Sequence, residues 1–264
     1  MTASTRDFTQ AWQDWKVQRE KELAEPYGWL ALVSLDWLGN EPRSYGNLPG
    51  KWWQDAEAAY VDPDGADLVH EGEKITGVKR IELVNSGAGT RVVAGAVEVE
   101  IARRSGYLIR VHDPEAPVLK TFRGVPAYEP DENWAVEAQF EAFEEPRPVT
   151  VGAVVEGLSH VYTAPGKVRF TRDGTEYTLT AFNGREGGFT ILFTDATSGV
   201  TTYAANRSLA VDKPDEQGRV TLDFTRARNL PCAFTDFATC PLPPEGNRLP
   251  FAVEAGEKLP YERQ

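Results

Sequence analysis

The chain opens with a single stretch of helical periodicity and then abandons it. Over residues 5–25, Phe8, Ala11, Trp12, Trp15 and Leu23 fall on one stripe with charged residues between them, the pattern of an amphipathic helix. Ser4 with Asp7 three positions on forms a capping-box pattern, and Pro26 with Gly28 stops the run. Two tryptophans on one stripe can serve as a ligand platform. The area a Trp must bury makes a helix clamped to the flank of a sheet the better reading. Next comes an apolar run from Trp29 to Leu38, expected as a buried entry segment and closed by the turn residues Gly39, Asn40 and Pro42.

Beyond Gly50 the period is two. Val97, Val99 and Ile101 alternate with Glu98 and Glu100, Arg104-Ser105-Gly106 turns the chain, and Tyr107, Ile109 and Val111 alternate with Leu108, Arg110 and His112. That predicts a hairpin with one buried face. Val118 to Phe122 is expected as another strand. Further strands are expected at 134–143, 149–155, 166–171, 175–181, 189–194, 207–211 and 220–224, with the hairpin signal strongest around Asp173-Gly174. No second helical stripe and no βαβ alternation appear, so the predicted fold class is all-β: a mostly antiparallel sandwich or barrel-like body with one N-terminal α-helix. The expected organisation is a helix over 1–28, a β-rich half over 29–130 and a second over 131–264, with the acidic, Pro-containing stretch 126–134 as the joint. One continuous domain fits the same pattern.

Charge narrows the partners. Lys plus Arg is 28 and Asp plus Glu is 40, so the net charge is −12, spread without any basic block. That sign repels nucleic-acid phosphates and anionic lipid, and neither is expected as a partner. The first residues lack a basic segment followed by an apolar one, and no apolar run approaches the roughly 18 residues of a membrane span. With only two cysteines in 264 residues, a cytoplasmic location is expected. No cofactor is called for by any motif.

Parity supplies the candidate chemistry, because residues two apart in a strand share a face. Asp195 continues the parity of Phe189, Ile191 and Phe193. Arg207 precedes Leu209 and Val211 on theirs, and Glu257 follows Phe251, Val253 and Ala255. Straight strands therefore aim three charges inward. Either they form a structural ion-pair network, or they line a polar pocket where Arg207 holds an anionic or carbonyl group and a carboxylate acts as acid, base or anchor. Ser198 lacks a nucleophile elbow, and only His70, His112 and His160 exist to serve it, so a Ser-His triad is a minor reading. Cys232 and Cys240 stand too far apart for a zinc knuckle. Packed thiols come first, a disulfide second, and a metal site with ligands recruited from afar third. The stretch 232–258 that holds them is rich in proline (Pro241, Pro243, Pro244, Pro250) yet too apolar for a disordered tail, which marks it as a built loop.

Taken together, FTDATSGVTTYAANRSL (193–209), TLDFTRARNLPCAF (221–234) and CPLPPEGNRLPFAVEAGEK (240–258) resemble the bacterial and archaeal family of unknown function DUF1684. GWLALVSLDWL (28–38) and the Gly-x-Leu-Ile-Arg-Val-x-Asp run (106–113) resemble its N-terminal half. The resemblance places Asp195, Thr197, Ser198, Thr202, Tyr203, Arg207, Asp223, Asn229, Cys232, Cys240, Asn247, Gly256 and Glu257 on family positions, with Asn206 where Gly is usual and Thr225 where Asn is. It implies no activity. The candidate pocket therefore comprises Asp195, Ser198, Tyr203, Arg207, Asp223, Asn229, Asn247 and Glu257. Two functions fit it: a small-molecule-binding or enzymatic site, hydrolysis included, around Arg207, or a non-catalytic interaction module whose motif residues only hold the fold. Reaction, ligand and oligomeric state stay open on sequence alone.

Overall fold

The computed structural model describes residues 3–84 and 88–263. The body is mostly antiparallel β-sheet preceded by one long helix, and neither of the large sheets closes into a barrel. No helix among the described residues is long and apolar enough to cross a membrane. The chain divides into two compact units, one of Met1–Lys21, Arg123–Phe234 and Thr239–Gln264, the other of Glu22–Phe122 and Thr235–Ala238.

Helix α1 (Ala3–Leu23) ends where Pro26 and Gly28 predict. The side chain of Ser4, and with it the capping box, lies outside the described residues. The smaller unit follows, with β1 (Leu32–Trp37), β2 (Lys51–Gln54), β3 (Ala59–Asp62), β4 (Leu68–His70), β5 (Glu73–Lys74), β6 (Lys79–Ile81), β7 (Thr90–Ala94), β8 (Val97–Arg104) and β9 (Gly106–His112). They form one sheet in the order β1-β9-β8-β7-β4-β5 and another in the order β2-β3-β6. Trp52, Val61, Leu68, Val92, Val99, Ile101, Tyr107 and Ile109 fill the core of this unit. The entry segment is only partly buried: Leu30 to Leu32 and Leu38 are inside, but β1 is an edge strand and Trp29 and Trp37 are exposed. The stretch expected as a strand at 118–122 is instead a short exposed helix, α2 (Pro117–Thr121), because Pro117 sits at its first turn, where a missing N–H costs nothing.

The β8–β9 hairpin forms in the expected register, Val99 opposite Val111 and Ile101 opposite Ile109, with Ser105 taking the left-handed turn conformation. Its second face is not solvated as expected. Arg110 and His112 are buried there together with Ala102 and Leu108. The polar pair is tolerated because Glu100, on the neighbouring strand, accepts from Arg110 Nε at 3.0 Å and from His112 Nε2 at 3.1 Å, while His112 Nδ1 faces the Gly28 carbonyl at 3.0 Å.

The larger unit carries β10 (Ala135–Gly152), β11 (Ser159–Arg172), β12 (Thr175–Asn183), β13 (Phe189–Phe193), β14 (Arg207–Val211), β15 (Arg219–Asp223) and β16 (Arg228–Asn229), in the order β15-β10-β11-β12-β13-β14-β16. The strands expected at 134–143 and 149–155 are one strand, β10, broken in register between Ala142 and Arg147. Opposite that break lies Pro165, which cannot donate to a ladder, so the irregularity and the proline meet. Beside it Gly166 is required, since a Cβ there would run into the Glu141 carbonyl and the Phe140 ring. Phe170, Leu179, Ile191, Phe193, Leu209, Leu222 and Phe224 build the core. Helix α1 packs on this unit through Trp12, whose Nε1 donates to the Thr225 carbonyl at 2.9 Å, as the clamp reading expects.

Burial pushes the Glu100 carboxyl up, but the hydrogen bond from His112 and the Arg110 guanidinium outweigh it and hold the group at about 2 instead of 4.5. A carboxylate depressed on folding contributes stability that is complete above its unfolded pKa and is lost as pH falls toward the folded one. Between pH 4.5 and about 2 this single group is expected to withdraw on the order of 3 kcal/mol. Urea midpoints measured across that range will show the slope, and Glu100→Gln should flatten it while lowering stability at neutral pH. An unchanged slope in the variant refutes the assignment.

Candidate functional site

After β13 the chain runs on through Thr194–Ala196, and the C-terminal segment lies parallel to it. Thr194 N donates to the Asn247 carbonyl at 3.1 Å, Leu249 N to the Thr194 carbonyl at 2.8 Å and Ala196 N to the Phe251 carbonyl at 3.0 Å. Beyond Phe251 the strap leaves this pairing and, among the described residues, meets backbone again only at 256–258, where Tyr128 N donates to the Gly256 carbonyl and Lys258 N to the Pro126 carbonyl. Its carbonyls at 253, 255 and 257 recur at the two-residue spacing that turns them the same way, and Arg207 takes all three. Nη2 donates to Val253 O at 3.0 Å, and Nη1 to Ala255 O and, at 3.4 Å, to Glu257 O. Nη2 also donates to Asp195 Oδ2 at 2.8 Å.

Both side chains of that ion pair are 0% exposed, and the guanidinium lies 5.3 Å from the ring of Phe193, its cross-strand partner. Burial pulls Arg207 below the usual arginine range, and the Asp195 charge and hydrogen bond oppose it. The second carboxylate oxygen of Asp195 accepts from Thr197 N, Thr197 Oγ1 and Val253 N at 2.8, 2.6 and 3.1 Å. Asp195 therefore ties the 195–199 turn, the strap and the arginine together. Ser198 closes the same turn, its Oγ accepting from Asp195 N at 3.1 Å, and Gly199 supplies the positive φ.

The inward parity predicted for Glu257 holds, and its side chain is buried, but its carboxylate turns away from Arg207. Oε1 accepts from Arg19 Nε of α1 at 2.9 Å and Oε2 from Asn229 N at 2.6 Å. Arg19 also donates to the Asn229 carbonyl at 3.0 Å. Arg19 was missed in the sequence, yet its signal was there: it follows Trp12 and Trp15 at helical spacing, on the same stripe. Gly256, before the glutamate, has φ +77 and presses on the Ala227 and Phe224 carbonyls, where no Cβ fits.

Asn247 lies apart from the arginine. β12 and β13 pair only at Phe182–Thr190 and Asn183–Phe189 and then separate. The amide of Asn247 fills the gap as a peptide group would, accepting from Thr180 N at 2.7 Å and donating to Thr180 O at 2.9 Å and Leu192 O at 2.8 Å. Asp223 is spent locally, accepting from Thr225 N at 3.1 Å and pairing with Arg226. Thr225 thus uses its own hydroxyl on Asp223 where the family has Asn. Tyr203 is half-buried beside the 195–202 turn. Asn206, where the family has Gly, donates to the Pro241 carbonyl at 2.6 Å. The structure thus joins Asp195, Ser198, Arg207, Asn229 and Glu257 in one network and leaves Asp223 outside it.

The cysteines form a disulfide. Packed thiols were the expected state; instead the turn from Pro231 to Thr239 brings the two Cα atoms within 6.1 Å, inside bonding range. The bond also removes free thiols as an argument for a reducing compartment. Among the described residues no three His, Cys, Asp or Glu side chains gather as metal ligands.

A family model described as "Protein of unknown function (DUF1684)" matches residues 120–258. The motif stretches at 193–209, 221–234 and 240–258 fall inside the match, and those at 28–38 and 106–113 fall outside it. The chain is similar to an uncharacterized protein of Haloarcula marismortui with a solution NMR structure, at 31% identity over 53% of this chain and 78% of that one, with a TM-score of 0.45. No curated protein matches.

Replacing Asn247 by Ala leaves one buried and two part-buried backbone groups without partners and is expected to cost about 2–3 kcal/mol, whereas Ser198→Ala should cost less than about 1 kcal/mol. Chemical denaturation of both variants checks the contrast. Reducing the disulfide, which closes a short loop, should cost about 2–3 kcal/mol by loop entropy. Alkylation and mass spectrometry of denatured protein, with and without prior reduction, will show whether the bond is present; two free thiols without reduction would refute it.

Proposed function

The chain belongs to the DUF1684 family of proteins of unknown function, and from that premise we propose that its motif residues are a fold lock and that the chain is a non-catalytic binding module. The observation that carries this reading is the state of Arg207. Its terminal nitrogens are committed to one carboxylate and three strap carbonyls, and its side chain has no exposed surface. A guanidinium that recognises a substrate keeps part of its donor fork free, and a catalytic acid or base must reach the proton it moves. Asp195, Asn247 and Glu257 are occupied in the same way. Each joins the strap at 247–258 to a strand, a turn or α1.

A second reading rests on one specific feature. Arg207 and Asn229 are cross-strand partners, and Arg207 Nε and Asn229 Oδ1 are buried with no protein partner among the described residues. A donor and an acceptor set opposite each other are what a small polar guest would engage. On this reading the region around Arg207 is a small-molecule site.

The substitution Arg207→Met separates the two. As a lock, losing the arginine strands the Asp195 charge and three carbonyls, so stability should fall by about 3–5 kcal/mol, a drop in Tm of roughly 10 °C for a unit of this size. Differential scanning calorimetry reads it directly. A variant that melts with the wild type refutes the lock and favours the small-molecule site.

A further inference from the structure

The two motif stretches near the start of the chain, 28–38 and 106–113, take no part in the lock, yet they meet in the smaller unit. β1 lies antiparallel to β9, with Ser34 opposite Val111 and Asp36 opposite Ile109. Residues opposite one another share a face, so Ser34 and Asp36 stand on the side that Ile109 and Val111 turn to the core. The register slips between Leu32 and Ser34, which makes Val33 an extra residue of the kind that re-aims its neighbours. Adjacent residues of a straight strand face opposite ways. Here Val33 and Ser34 both line one cavity of about 450 Å³.

Much of the cavity wall is apolar: Val33, Val97 and Val111 come from the sheet, Leu48 and Pro49 from the 45–49 turn. That turn is pinned at both ends. Tyr45 Oη accepts from Gly39 N at 2.9 Å and donates to the Trp37 carbonyl at 3.4 Å, and Trp52 Nε1 donates to the Pro49 carbonyl at 3.0 Å. The polar side chains are Ser34, Asp36, Asn47 and Asp113. The first three make no ion pair and no side-chain hydrogen bond among the described residues, and Asp113 commits only Oδ1, to Glu115 N at 2.8 Å. Elsewhere in this unit Glu98 pairs with Arg91, Glu100 with Arg110 and Asp67 with Lys74. Among the described residues no Lys, Arg or His lines the cavity.

Carboxylates of one sign in a cleft with apolar walls focus their field into it, because low-dielectric walls do not screen. An anion is repelled from such a space. A neutral apolar guest strips water from Asp36 and gives it no partner, which is costly. A cation with an apolar body meets both demands, and the volume is that of a small-molecule site. We propose that this cavity binds a small organic ammonium compound. Its aliphatic body lies against the valines, Leu48 and Pro49, and its N–H donors go to Asp36, with Ser34 and Asn47 as further acceptors and Asp113 as the second negative charge. The proposal names a ligand class for the binding-module reading and rests on that reading only so far, since it uses no side chain of the lock.

The test is NMR titration of the full chain with n-hexylammonium, n-hexanol and n-hexanoate, three probes that share a body and differ in charge. Saturable shifts of the backbone amides at 33–36, 46–48, 97 and 111–113 are expected with hexylammonium, at least about tenfold weaker binding with hexanol, and none with hexanoate. In Asp36→Asn, which keeps the shape and removes the charge, hexylammonium affinity should fall at least about tenfold, the worth of a hydrogen bond to a charged group. Its Tm should be unchanged, because Asp36 has no partner to lose. Hexanol binding as tightly as hexylammonium, no saturable shift with the amine, shifts centred elsewhere, or a variant that binds as the wild type each overturns the proposal. If that last variant also self-associates on size-exclusion chromatography, Asp36 is a charge that guards the β1 edge and not a ligand group. All of these outcomes leave the Arg207 lock standing, because that is judged by the stability of Arg207→Met.

Discussion

The larger unit depends on one solution to a missing strand. The strap from Phe251 to Glu257 buries the carbonyls of Val253, Ala255 and Glu257 facing Arg207, and among the described residues no backbone N–H donates to these three. Buried carbonyls left without donors each cost a kilocalorie or more, about 1–3 kcal/mol, and three in a row would expel the strap. Arg207 supplies the donors from a single side chain. Lysine could not do this, because a flexible ammonium lacks the planar fork that spans successive carbonyls. Asp195 then compensates the charge that the arginine brings inside, and by accepting from Val253 N it binds the strap from the other side.

The same physical demand recurs around the unit, which explains why its buried polar residues are so numerous. Where β12 and β13 part, Asn247 stands in for the absent peptide group. Where α1 meets the strap, Glu257 accepts from Arg19 and from the Asn229 amide. Each polar side chain closes a gap that the strand ladder leaves open, and each is satisfied mainly by backbone. A substrate site has the opposite economy, with groups held in place from behind and left free in front. In the smaller unit, Glu100 between Arg110 and His112 is a further closed set of this kind.

How much of this was legible in the sequence followed from how local the determining physics is. Strand parity is local, so Asp195, Arg207 and Glu257 could be aimed inward from spacing alone, and the Asp173-Gly174 hairpin and α1 formed as expected. Parity says nothing about a second covering layer, which is why Arg110 and His112 read as solvated. The partner of Glu257 comes from a helix 238 positions earlier, and no spacing rule reaches that far. The pairing of Cys232 with Cys240 turned on the path of one short turn. The 118–122 segment failed for a local reason: an apolar run of strand length is also the length of a single helical turn, and Pro117 decides between them.

The distribution of unpaired charge then separates scaffold from surface. A buried ion pair is poor evidence of net stabilisation, because desolvation takes back most of what Coulomb attraction gives. What the pair secures is the path of the strap. Once Arg207 has given its terminal donors to four acceptors, it has little interaction energy left for a ligand. Beside the 184–188 loop, by contrast, Arg185, Glu186, Asp212 and Lys213 are exposed and make no ion pair or side-chain hydrogen bond among the described residues. Since β14 carries the lock on its inner face and runs directly into Asp212 and Lys213, the arginine that closes the core also fixes the strand that presents those two unpaired charges.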